Sequence, residues 1–164
     1  MEKYKKHQRV GVLVDVQNLF YSARHQYKAK VNFARLLDTV VDGRRMIRSL
    51  AYVVQTKEID QSNFIDMLER NGYEVRSKDL KVRADGSSKG DWDMGIAVDA
   101  ISLADRLDVI VIVSGDGDYV DLVNMLKGKG VRVEVASFPK STAEELIKAA
   151  NSYIPIEKNL LLKS

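Results

Sequence analysis

Unbroken apolar runs alternate with amphipathic stretches along this chain, and each change of period marks a new element. Residues 10–14 (Val-Gly-Val-Leu-Val) and 109–113 (Val-Ile-Val-Ile-Val) are continuous and rich in β-branched side chains. Such runs read as strands covered on both faces, as in parallel sheets. Residues 46–55 read as a second strand. Residues 73–77 form a third, with an alternation that extends through Leu80 and Val82, and residues 131–135 form the last.

Helical periodicity fills the gaps. Leu19, Phe20 and Ala23 share a face over residues 17–28, and Asn32 is placed to cap a helix reaching Val41, closed by Asp42-Gly43. Asp60 or Ser62 opens a helix carrying Phe64, Ile65 and Leu68, which stops at Asn71-Gly72. A helix running to about Leu103 follows the most loop-like segment, residues 84–90. Residues 118–127 are helical, ending at Gly128 or Gly130. Ser141-Thr142-Ala143-Glu144 reads as a capping box opening a helix to about Ala150.

Strands alternating with helices imply crossover connections. The fold expected is therefore an α/β, three-layer Rossmann-like sandwich around a mainly parallel five-stranded sheet of order 3-2-1-4-5. It forms one domain over residues 1–164, with a core of about 10–150, a basic N-terminal tail 1–9 and a C-terminal tail 151–164. In that order strand one lies beside strand four. Asp15, which ends the first run, then lies beside Asp116 and Asp118, which follow the 109–113 run across Ser114-Gly115.

Composition narrows the chemistry. At 164 residues the chain suits one sizeable core. The absence of cysteine excludes disulfides, thiolate ligands and a cysteine nucleophile, and fits a reducing cytoplasm. No run has signal-peptide or membrane-spanning character, so no membrane partner is expected. A homo-oligomer is compatible with this composition. The formal net charge is +3. Aspartates at 15, 93, 99, 116 and 118 fall in the candidate cleft, which leaves the remaining surface more basic. An acidic pocket within a basic surface suits a polyanionic substrate, although a merely solvated lysine-rich surface has the same composition.

Ligands of parallel α/β sheets bind just past the carboxyl ends of the strands. Two carboxylates there repel each other unless a cation lies between them. Asp116-x-Asp118 therefore reads as a divalent-metal site. Two other readings are helix-N-terminal caps and, with Val120, an Asp-x-Asp-x-Val phosphatase signature. The phosphatase pattern fits less well, because Ser114-Gly115 intervenes and the strand is the fourth. Asp15 and Asn18 read as a ligand and an orienting amide, or as a plain strand-end turn. Asp93 and Asp99, six residues apart, lie about 120° apart on a helix, so both border one cleft only if the segment begins as a turn. Asp91 and Asp93 do not start a calcium loop, since position five is Gly95 and position twelve Ser102. Trp92, Tyr119, Phe20 and Tyr21 are candidates for base stacking or for ordinary packing.

Together, Asp15-x-x-Asn18, Lys89-Gly90-x-x-Asp93 with Asp99 six further on, and Ser114-Gly115-Asp116-Gly117-Asp118-Tyr119 resemble the NYN domain, in its LabA-like branch, within the PIN-like and FLAP-nuclease-like group. The resemblance covers about residues 10–149. It implies a PIN-like fold and a metal-dependent ribonuclease acting on RNA, single-stranded by expectation. Asp15, Asp93, Asp99, Asp116 and Asp118 would be catalytic acids holding Mg²⁺ or Mn²⁺, with Asn18 the polar residue beside the first. Some PIN-like enzymes carry a glutamate on an early helix. Here that region offers only Asp38 and Asp42, and neither is assigned. A metal-activated water would attack the scissile phosphate in line. Asn18 is a candidate substrate contact, Lys89 is a candidate phosphate contact or a plain loop lysine, and Arg24, Lys28 and Lys30 are candidates for holding the backbone. The alternatives are a non-catalytic RNA-binding or regulatory interaction module and an aspartyl-phosphate phosphatase.

Overall fold

Strand β1 (Arg9–Asp15) lies at the centre of the sheet and fixes the position of everything near its end. In this computed structural model, which describes residues 5–82, 84, 88–89 and 91–162 (the backbone alone at 81–82 and 88–89), β1 pairs in parallel with β2 (Arg45–Gln55) on one side. On its other side it pairs with β4 (Val109–Val113). Beyond β2 lies β3 (Glu74–Asp79), and beyond β4 lie β5 (Arg132–Ser137) and β6 (Ser152–Pro155). The order is 3-2-1-4-5-6, parallel throughout.

The sheet thus has six strands where the apolar pattern suggested five. The apolar pattern alone assigns residues 151–164 to a tail, because Ser152–Pro155 is only four residues long and ends in proline. Yet β6 completes the edge beside β5, and Ile156 and Leu160 are buried in the core. Edge strands are half-covered, so they lack the continuous apolar signature of central ones. The third strand also departs from its expected course. It ends at Asp79, and Lys81–Val82 leaves the sheet to pair antiparallel with Ser88–Lys89.

Helices cover both faces. α1 (Val16–Tyr27), α2 (Phe33–Val41) and α3 (Ser62–Arg70) pack on one side. There Leu19, Leu36, Val40 and Leu68 meet Val10, Val12, Val14, Val109, Val111 and Val113. α4 (Asp93–Leu103), α5 (Val120–Gly128) and α6 (Glu144–Ala149) cover the other side. There Ile96, Leu122, Leu126 and Leu146 meet Leu13, Ile110, Ile112, Val133 and Val135. Alternate residues of β1 and β4 feed the two cores, which is why these strands are apolar without interruption. Each fully buried Val, Leu or Ile contributes about 1.5–3 kcal/mol. The central strands and their ends are accordingly well anchored.

Helix ends follow local chemistry in part. Asn32 accepts from the Arg35 N–H, as its position suggested, and Asp42 and Gly43 both take left-handed conformations after α2. The expected capping box at 141–144 does not form. Ala143 is the N-cap of α6 and makes no side-chain capping bond. The Thr142 hydroxyl donates instead to the Phe138 carbonyl at 2.6 Å, and the Ser141 hydroxyl to the Ser22 hydroxyl at 2.9 Å. Tertiary partners have taken both hydroxyls.

The chain moves outward from β1 through β2 to β3, then returns to β4 and continues to β6. The direction reverses between β1 and β4, so their carboxyl ends flank a crevice, the usual ligand position in open α/β sheets.

Candidate metal centre

Val14 pairs with Val113, so the residues that follow, Asp15 and Ser114, lie side by side. The Ser114 hydroxyl donates to Asp15 Oδ2 at 3.0 Å, and the backbone N–H of Asn18 donates to Oδ1 at 3.3 Å. Asp15 therefore caps α1 while reaching across to the β4 end. The Asn18 side-chain oxygen accepts from the Gly115 N–H at 3.0 Å. Asn18, expected among substrate contacts, is occupied in joining the two strand ends.

Gly115 is glycine for a steric reason. A Cβ there would lie 2.5 Å from the Ser141 carbonyl oxygen and 3.1 Å from the Thr142 Cα. The Gly115 carbonyl accepts from the Ala143 N–H at 3.0 Å, which clamps the turn against the start of α6. The turn then delivers Asp116, whose Oδ1 accepts from the Asp118 N–H at 2.9 Å. Asp116 thus caps the short 3₁₀ turn Gly117–Tyr119, so the capping reading holds for one of its oxygens.

Asp93 opens α4 and approaches from the other side. One carboxylate oxygen each from Asp93, Asp116 and Asp118 lies within 4.8 Å of the other two. Among the described residues none of these three carboxylates has a cationic partner. Burial first, then the charges of Asp116, Asp91 and Asp15, push the Asp93 carboxyl up to about 6. Burial likewise raises Asp15, with a smaller push from Asp116, against the hydrogen bonds it accepts. Burial is the larger cause of both shifts, and the neighbouring carboxylates add to it.

Tyr119 links the two acidic ends. Its buried phenol donates to Asp93 Oδ1 at 3.1 Å and lies 3.5 Å from Asp15 Oδ2. Burial, followed by the charges of Asp15 and Asp93, raises its pKa, so it stays a neutral donor. The residue is therefore a brace between carboxylates rather than a base-stacking surface. Its signal was present as the last member of Ser114-Gly115-Asp116-Gly117-Asp118-Tyr119.

Asp99 lies apart from this group. α4 is helical from Asp93 onward, so the 120° separation between the two aspartates is realised. Asp99 Oδ2 accepts from the Tyr52 phenol at 2.8 Å and pairs with Arg76 at 3.1 Å. The Tyr52 and Arg76 contribution had no local sequence signal, since it depends on β2 and β3 facing α4. Trp92 is also held by packing. Its indole N–H donates to the Val53 carbonyl at 3.0 Å, its ring lies against Tyr52, and the Lys78 ammonium lies 4.6 Å from its ring centre. Arg24 is exposed on α1. The side chain of Lys89 lies outside the described residues.

The sequence profile of the NYN domain matches residues 9–157. The chain belongs to the NYN domain family. It is 28% identical over 156 residues to the low amplitude and bright protein LabA of Synechococcus elongatus, covering 90% of this chain and 83% of that protein. A crystal structure of a protein of unknown function from Vibrio parahaemolyticus superimposes with a TM-score of 0.89 at 33% identity, covering 96% of this chain and 98% of that one. This NYN domain thus pairs a carboxylate trio with a braced fourth aspartate, an arrangement that fits a nuclease. Among its described residues no helix is long and apolar enough to cross a membrane.

Proposed function

We propose that this NYN domain is a divalent-metal-dependent ribonuclease of the cytoplasm, with single-stranded RNA as substrate and Mg²⁺ or Mn²⁺ as its ion. The observation carrying this reading is the convergence of Asp93, Asp116 and Asp118 oxygens within 4.8 Å at the carboxyl end of the sheet. The donor set suits a hard cation, since all three groups are oxygen donors and no thiol or imidazole is among them. Bound there, such an ion supplies Lewis acidity, activating water and offsetting charge on the phosphoryl group.

The chain's own residues set the conditions for that chemistry. Asp93, Asp116 and Asp118 collect negative charge at one point. Asp15, braced by Ser114 and Tyr119, adds a fourth carboxylate at its inner edge. Asn18 and Gly115 hold the two strand ends at a fixed separation. Asp99, tied to Tyr52 and Arg76, sets the orientation of α4 and through it the position of Asp93.

Incubation of purified protein with a labelled single-stranded RNA in Mn²⁺ tests this reading. Cleavage that stops with EDTA and is lost in Asp93→Asn supports it. Intact RNA with shifted mobility would indicate a binding module instead. Phosphate release from small esters without RNA cleavage would indicate the phosphatase chemistry.

A further inference from the structure

Along the outer side of α1 runs an open groove bordered by Phe20, Arg24, His25, Lys28, Lys30 and Leu162. Phe20, Arg24 and Lys28 recur every four residues, so they form one row on the helix. The row begins just over one turn beyond Asp15, which caps this helix, and runs about 12 Å along it, ending about 20 Å from Asp15. α1 carries no acidic residue, and Arg24, Lys28 and Lys30 are all exposed. Among the described residues none of these three cations makes an ion pair.

Tyr27 packs against Phe138 in the core, but the two aromatic side chains near the start of this helix do not. Phe20 is 48% exposed and Tyr21 59% exposed, and the Tyr21 and His25 rings stack at 5.4 Å with an interplanar angle of 16°. Lys28 also occupies a costly position. It is the C-cap of α1 with φ of 49°, a left-handed conformation that favours glycine or asparagine. A lysine there keeps a cation at the end of the row at some expense of stability.

We propose that this groove seats a single-stranded RNA segment continuous with the acidic site, with Arg24, Lys28 and Lys30 against its phosphates and an unpaired base on Phe20. The proposal rests on reading the aspartate trio as a ribonuclease site. The occupant follows from the combination: unpaired cations call for a polyanion, and exposed rings between them call for bases free to stack.

Fluorescence anisotropy of a labelled single-stranded RNA, in an Asp116→Asn background with Mg²⁺ to prevent cleavage, tests the groove. Arg24→Gln, Lys30→Gln and Phe20→Ala should each weaken binding about tenfold. Each lost cation should also flatten the logarithmic salt dependence by about 0.7. Lys28→Gly should weaken binding while leaving the melting temperature equal or higher, because glycine relieves the left-handed backbone. If the unmodified chain cuts RNA in Mn²⁺ but all four variants bind as the Asp116→Asn parent does, the groove is overturned and the nuclease reading stands. If the chain neither binds nor cuts RNA, both fall. Equal affinity for duplex RNA overturns the single-strand assignment. Self-association that Phe20→Ala abolishes, with RNA affinity unchanged, assigns the groove to a second copy and overturns the proposal.

Discussion

The Asn18 side-chain oxygen accepts a 3.0 Å hydrogen bond from the Gly115 backbone N–H, 97 residues away in the chain. This bond locks the first turn of α1 to the turn that follows β4, and so fixes Asp15 relative to Asp116. Asn18→Leu leaves the buried Gly115 N–H without its acceptor. We expect a loss of about 1–3 kcal/mol of unfolding free energy, read by urea denaturation. Asn18→Asp keeps the acceptor but adds charge beside Asp15, so its deficit should grow between pH 5 and pH 7.5. A leucine variant as stable as the parent would remove the positioning role.

Tyr119→Phe removes the phenol shared by Asp93 and Asp15 while keeping the ring. The hydrogen bond from Tyr119 lowers the Asp93 pKa, so its loss should raise that pKa further. Apo stability should fall by about 1 kcal/mol, and Mn²⁺ binding at pH 6.5 should weaken more than at pH 8. Isothermal titration at the two pH values reads the difference. Equal weakening at both would show that the phenol does not govern the protonation of Asp93.

Asp116→Asn preserves the acceptor that caps Gly117–Tyr119, since asparagine caps as well as aspartate. It removes one ligand charge from the trio. Metal-dependent cleavage should disappear while the metal-free melting temperature holds or rises slightly, because repulsion with Asp93 and Asp15 falls. A marked fall in apo stability would mean that the charge of Asp116 serves the turn rather than a cation.

The metal-free protein should lose stability as pH rises from about 4 to 7. Asp93 has a folded pKa of about 6 against an ordinary 3.8, and Asp15 is raised as well. A raised carboxyl favours folding fully below its unfolded pKa, and that contribution is lost as pH rises through the folded value. Asp42 and Asp108, which are lowered, act in the opposite direction but only as pH falls below about 4. Asp93 is partly exposed, so screening reduces its share to on the order of 1–2 kcal/mol. Mn²⁺ should raise the melting temperature more at pH 7.5 than at pH 5. A pH-independent metal shift would place the ion away from Asp93.

Asp99→Asn should behave unlike Asp93→Asn. It breaks the pair with Arg76 and weakens the bond from Tyr52, so stability should fall. The cation should still bind at the trio, with activity reduced through the setting of α4 rather than abolished. Loss of metal binding equal to that of Asp93→Asn would return Asp99 to the ligand set.

Much of this molecule is determined by its sequence alone. Two unbroken β-branched runs specify central parallel strands, because only strands covered on both faces tolerate apolar side chains at every position. Their carboxyl-terminal aspartates mark one end of the sheet, and Asn32 and Gly43 mark helix ends through local backbone chemistry. Tertiary structure decided the rest. The edge strand Ser152–Pro155 has no apolar run of its own and exists only because β5 offers an open edge. The hydroxyls of Ser141 and Thr142 look like helix caps locally, but Ser22 and Phe138 lie closer in space. Asp93 and Asp99 share one helix and one motif, yet helix rotation sends one to Asp116 and the other to Tyr52 and Arg76. Linear spacing specifies which carboxylates a segment carries. Which of them meet is set by the angle of the helix and by the elements that pack against it.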